Sequence, residues 1–336
     1  MAQVLPAPDE IKRSLVENMT LAHINALDAQ GVSRTSVTPG LLVERLAELE
    51  QTHRQATFGK DLTEVKRAYR LLRDASRHLL RYVQPEEYPD TFSQICLYYH
   101  DAQCILNRPD EALLYAKTAQ LVLESIEQIE SGYSRKQRDE LEINAIRGEA
   151  IAYHNLGLDR IVPDILLNRA CSTSAYRNAR HFWEPLVKRD LINSLAETPR
   201  FSIREVNKTA QQIAKICEKN GDEFTCLLVR EGWLRSLIRR GKTKAAERIF
   251  KEEMERLPRL PYVGALHRAL LFKSGARLAW ALRDREVWSI RIAETVGLMS
   301  RAGLTHQISL IRRIYGSAVE SVLAQPGIDP IESRRA

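Results

Sequence analysis

Five cations recur at three- and four-residue intervals: Lys66, Arg70, Arg73, Arg77 and Arg81. On a helix this spacing stacks them along one face, and a row of guanidinium forks suits phosphates or carboxylates. Leu62, Val65, Tyr69, Leu72, Leu79 and Leu80 fall on the other side, so the basic row should face solvent while the apolar row faces a core. The plain alternative is a solvated helix face, partly neutralised by nearby Asp and Glu. A second cluster, Arg235, Arg239, Arg240, Lys242 and Lys244, surrounds Gly241. Cations at a helix C-terminus are favoured by the macrodipole, which accounts for Arg239 and Arg240 without a ligand.

Other chemistry is thinly represented. His100, Asp101 and Cys104 lie within one turn of each other and make a conceivable nucleophile cluster, yet a helical hairpin around them explains each residue through packing. The eight histidines are scattered, with no HExxH and no zinc-type spacing. Phosphate-cradling glycine loops and the GxSxG elbow are also missing from the sequence. No catalytic residue, cofactor or metal is therefore expected, and the chain reads as a non-enzymatic one. GVSRTSV, from Gly31 to Val37, resembles the start of a DNA-recognition helix. Pro39 and Gly40 interrupt it before it could reach base edges, so an interhelical loop is the better reading.

The elements that must position these side chains are helices. Only 15 Gly and 13 Pro occur in 336 residues, while Ala, Leu, Arg, Glu and Ile are abundant, which predicts an all-α chain. The five cysteines form no CxxC pair, and their odd number argues for reduced core or near-core thiols. No apolar run reaches the roughly 20 uncharged residues of a bilayer span, and acidic residues occupy the place of a secretory signal core. A soluble, cytoplasmic protein with no membrane partner is the expectation. The net charge of +7 makes an acidic partner plausible without fixing which.

Ile11, Leu15, Val16, Met19, Ala22 and Ile24 predict a helix from about Asp9 to Ala29. Pro39 opens a second helix that stops at Gly59, and Asp61 with Glu64 caps a third. Residues 1–84 therefore form a three-helix segment or cap. Paired helices follow: Tyr88–Leu106 with Pro109 to about Ile129, about Asp139 to Ala170, Arg177 to Gly221, Asp222 to Pro258, and Tyr262 to Ala302. A last helix, from Thr305 to Leu323, precedes a polar tail at 325–336. Ser202 with Glu205 predicts another capping box, and Ala112, Ala116 and Ala119 a small-residue seam.

Gly241 to Pro258, GKTKAAERIFKEEMERLP, has a turn glycine, small Ala246, the filler Phe250 and a terminal proline. This layout resembles the second helix of a tetratricopeptide hairpin. PDEALLYAKTAQ after Arg108 fits the pattern about as well, AIAYHNLG from Ala150 to Gly157 is a further copy, and the turns lie roughly 41–50 residues apart against about 34 in a regular array. Over roughly residues 86–323 the chain looks like a tetratricopeptide-like repeat protein. In arrangement it is similar to the repeat regions of bacterial peptide-sensing regulators. The resemblance implies a right-handed α-solenoid of degenerate hairpins, an array spanning 85–324, whose concave groove holds a protein or peptide partner in a regulatory role. The Lys and Asn set with which chaperone-binding relatives clamp a terminal carboxylate is not recognisable. Partner contacts are expected at Lys66, Arg70, Arg73, Arg77, Arg81, Arg235 and Arg239. The alternative is a nucleic-acid-binding regulator that uses the basic helix at 61–83.

Overall fold

The structure, a computed structural model, describes residues 39–58, 62–106, 108–125, 133–196, 202–260, 265–302 and 305–323. The helix expected at Asp9–Ala29, the GVSRTSV loop, Asp61, the turn near Thr198 and the tail at 325–336 lie outside the described residues. Among the described residues the fold is all-helical, with no strand.

Pro39–Phe58 (α1) and Leu62–Leu79 (α2) come first, followed by Pro89–Leu106 (α3) and Pro109–Ser125 (α4). Proline opens α1, α3 and α4, at a position where its missing N–H costs nothing. Arg135–Asn155 (α5) starts at Ser134, whose side chain accepts from Gln137 N in a complete capping box. The short helix Ser174–Asn178 (α6) leads into Arg180–Leu195 (α7), paired with Ile203–Asn220 (α8). The expected box is present at the start of α8: Ser202 Oγ accepts from Glu205 N at 3.2 Å, and Glu205 Oε2 accepts from Ser202 N at 2.9 Å. Ser202→Ala should cost about 1 kcal/mol, measurable as a lower urea midpoint. Glu223–Arg239 (α9) pairs with Thr243–Arg256 (α10), and Ala265–Ala281 (α11) with Arg285–Ala302 (α12). Gly241 closes α9 at φ 68°, a left-handed conformation that costs other residues strain.

Two expectations need correction. The second helix of the 139–170 pair is not one α-helix. Val162–Asp164, with Pro163 in its first turn, passes into a π turn at Ile165–Arg169 and a 3-10 turn at Ala170–Ser172. The wider register coincides with a long-range anchor, because Arg169 reaches Glu149 Oε2 at 2.7 Å and also bonds Gln120. The last helix is broken into Thr305–Tyr315 (α13) and Ser317–Leu323 (α14), because Gly316 takes φ 57° and a right-handed helix cannot run through it.

Sequence neighbours make the most extensive helix contacts. The buried apolar side chains form three clusters in chain order, spanning Leu49 to Ala145, Ile143 to Leu278 and Ala276 to Val322. They meet on α5 and α11, and α1 and α2 share the first with α3 to α5. Ala112, Ala116 and Ala119 are fully buried, as the seam requires for close helix approach. Phe250 of α10 packs onto α11 so closely that a Cβ on Gly275 would lie 2.5 Å from two of its ring atoms. The two ends of the described chain also meet: α2 touches α11 and α12, and Ile105 packs against the last cluster.

Candidate functional site

The helices line a half-open cavity of about 330 Å³. Tyr69 of α2 contributes to its wall. The rest comes from α3 (His100, Asp101, Cys104), α5 (His154), α7 (Arg189, Asp190, Asn193), α9 (Phe224, Leu228) and α11 (His267, Leu270), with Val162 between. Apolar and ionisable groups thus share one concavity.

His100 is the most constrained of them, at 1 % exposure. Its Nδ1 lies 2.9 Å from Asp101 Oδ1 and its Nε2 lies 2.9 Å from the Gly148 carbonyl oxygen. Both partners are acceptors, so both ring nitrogens donate and the ring is an imidazolium. Burial alone would push its pKa down. The Cys104 sulfur and the Asp101 carboxylate outweigh that and hold it well above the usual value. Cys104 Sγ stands 3.4 Å from Nε2, one helical turn along α3. Asp101 Oδ2 also accepts from His53 Nε2 of α1 at 3.0 Å, and its side chain remains 43 % exposed. Burial works against ionisation of Asp101, but the two imidazoles hold its carboxyl far below the normal carboxylate range. His53 is opposed by burial in the same way and is raised by Asp101. Gly148 makes the ring's approach feasible, because a Cβ there would sit 3.2 Å from His100 Cε1.

On another wall, Arg147 Nε donates to Asp190 Oδ2 at 2.9 Å and Arg189 Nε to Asp190 Oδ1 at 2.8 Å. The Arg147 guanidinium lies 5.9 Å from the Trp183 ring. Each carboxylate oxygen thereby has a charged donor. His267 faces Phe224 edge-on with ring centroids 4.5 Å apart. Burial, aided by Arg189, lowers its pKa to about 4, so it is neutral at pH 7. In the cavity wall the His100 imidazolium and Arg189 stand beside Asp101 and Asp190, and His53 and Arg147 bond the same two carboxylates from behind.

The basic ladder lies elsewhere. Arg70 and Arg77 are exposed, and Lys66, Arg73 and Arg81 partly so, while Val65, Tyr69, Leu72, Leu79 and Leu80 are buried on the opposite side. Arg73 pairs with Asp74 at 2.7 Å. Burial and the adjacent Arg70 lower the Lys66 pKa. The second cluster is split. Arg239 is exposed, but Arg235 turns inward at 11 % side-chain exposure. Its Nε donates to both Glu231 oxygens and an Nη to Asn193 Oδ1 at 3.1 Å. Arg235 thus braces α9 against α7 and does not join an outer basic patch.

In sequence the His100, Asp101 and Cys104 cluster is explained by packing alone. The spacing was visible, but the features that give the cluster its chemistry, His53 and the Gly148 carbonyl, come from α1 and α5. Arg189, Asp190, Asn193 and His267 carried no local signal. Among the described residues the aromatic side chains mostly fill cores. The exceptions are Phe182 and Trp280, exposed at 55 % and 44 %, the latter in a cluster with Trp288 and Tyr315. Among the described residues, no three or more His, Cys, Asp and Glu side chains are placed to hold a metal ion. No helix among them is long and apolar enough to cross a membrane. No family model, curated protein or solved structure matches the chain.

Proposed function

We propose that the chain is a non-enzymatic, regulatory binding protein: a right-handed α-solenoid of degenerate tetratricopeptide-like hairpins that receives an acidic segment of a protein or peptide on its concave face. One observation carries this reading. Apart from α2, which contributes Tyr69, the cavity's helices α3, α5, α7, α9 and α11 are each the first member of their pair, the pattern expected when the inner helices of stacked hairpins line a common groove. The contact of α2 with α11 and α12 fits an array curved until its ends approach.

At about 330 Å³ the cavity lies at the lower end of the ligand-site range of roughly 300–1,000 Å³, which suits one anchoring side chain or terminus of a longer segment. Arg189 and the His100 imidazolium are the groups that would meet a carboxylate. Phe224, Leu228 and Leu270 would take the apolar neighbours of that carboxylate. Selection from a random peptide display library should enrich acidic sequences. Leu228→Trp, which fills the cavity, should weaken the selected peptides by tenfold or more, and Arg70→Glu/Arg73→Glu/Arg77→Glu should leave them unchanged. The reverse pattern would refute the groove reading.

A nucleic-acid-binding role keeps one supporting observation, the exposure of Arg70 and Arg77 along α2. It requires the triple Glu variant to abolish binding to a labelled single strand or duplex, with affinity falling steeply as salt rises.

A further inference from the structure

We infer that Cys104 is a nucleophilic thiol, seated beside the His100 imidazolium in the central cavity and open to low-molecular-weight disulfides, with which it forms a mixed disulfide. The inference does not depend on what the groove binds.

The geometry is a relay of three links. Asp101 holds Nδ1 of His100 at 2.9 Å, the Gly148 carbonyl and the Cys104 sulfur share the Nε2 proton at 2.9 and 3.4 Å, and His53 anchors the other Asp101 oxygen at 3.0 Å. A fixed positive charge beside a sulfur favours its anionic, nucleophilic form. Cys104 is only partly buried and lines the cavity, so a small reagent has a route to it. The other four thiols lack this combination. Cys96, Cys217 and Cys226 are buried, and burial pushes each of their pKa values up. Cys171 lies beside Tyr176, outside the cavity.

A purely structural role for His100, bridging α3 to the α5 backbone, would explain its burial and its bond to Gly148. It does not account for the ring and the sulfur one turn away both opening on a cavity.

The reaction balances without another oxidant. The Cys104 thiol releases its proton to solvent, and its sulfur donates an electron pair to one sulfur of the disulfide, forming a new S–S bond as the old one breaks. The departing thiolate leaves with the bonding pair and takes the Nε2 proton of His100 to become a free thiol. Solvent then restores the proton to the ring. One protein thiol is oxidised and one half of the reagent is reduced.

The full-length protein, kept native at pH 7, would be treated with iodoacetamide and, separately, with dithiodiglycolate, and each cysteine followed by mass spectrometry. Cys104 should be alkylated about tenfold faster than Cys171, as expected for a sulfur seated beside a fixed imidazolium, and should carry the mixed disulfide. Asp101→Asn should slow both reactions several-fold, and Cys104→Ser should remove the adduct. Asp101 is partly exposed, so this variant tests the relay even if His100→Gln fails to fold. Cys104 reacting no faster than Cys171, an adduct formed on another cysteine, or rates unchanged in Asp101→Asn would each overturn the assignment.

Discussion

Replacing Phe250 by alanine should lower the unfolding free energy by about 3–5 kcal/mol, seen as a large drop in urea midpoint. Phe250 is 7 % exposed and belongs to the central apolar cluster. Its ring lies against the backbone of Gly275, and the Arg291 guanidinium lies 4.5 Å from the ring centroid. Arg291 also donates to the Gly275 carbonyl oxygen at 3.0 Å. The ring thus joins α10, α11 and α12. Alanine would leave a void that these helices cannot close, since Gly275 has no side chain to extend and Arg291 is already committed to the carbonyl. It would also strip the apolar cover from a half-buried cation, whose pKa burial already lowers. A loss below about 1.5 kcal/mol, the range of volume-conserving swaps, would mean that α10 and α11 do not pack through this contact.

The same pair of residues marks the limit of what the amino-acid order reveals. Phe250 was recognisable as a filler because its distance from Gly241 and Ala246 is local. Its partner Gly275 was not, since nothing in ALLFKSGARLAWAL says which helix approaches that glycine. Some local chemistry is legible, such as the Ser202 and Glu205 box and the turn at Gly241, while the break at Gly316 is not. Long-range consequences are not legible. Arg235 looked like part of a surface patch because α9 is buried on nearly every side, and helical spacing alone cannot distinguish an inner helix from an outer one. Asp190 and His267 reach the cavity only once α7 and α11 have been brought to it, a matter of packing between segments far apart in the chain. The meeting of α2 with α12 depends on curvature accumulated over every intervening pair, which no window of sequence contains.

Stability should peak near pH 6.5 and fall on both sides, and His267→Gln should flatten the acid limb. The folded pKa of His267, about 4, lies below the ordinary histidine value of about 6.5. Its neutral ring is compatible with the fold and its charged ring is not. That stabilisation is present above pH 6.5 and is lost as pH falls toward 4, with a ceiling of about 3 kcal/mol from the size of the shift. His100 and His53 behave oppositely, because their folded pKa values are raised. Their contribution is complete below pH 6.5 and declines as pH rises through those values. Asp101, with its carboxyl held low, withdraws support only below about pH 4, its unfolded value. Between pH 6.5 and 4 His267, which faces Arg189 from α7 and the Phe224 ring from α9, lowers stability. Glu142 and Glu253, whose carboxyls burial raises, act in the opposite direction, so the difference between native chain and variant isolates the His267 share. Urea midpoints measured across this interval for the native chain and for His267→Gln provide the comparison. An unchanged acid slope in the variant would place the His267 ring in solvent, and with it would go the lining of the cavity by α11.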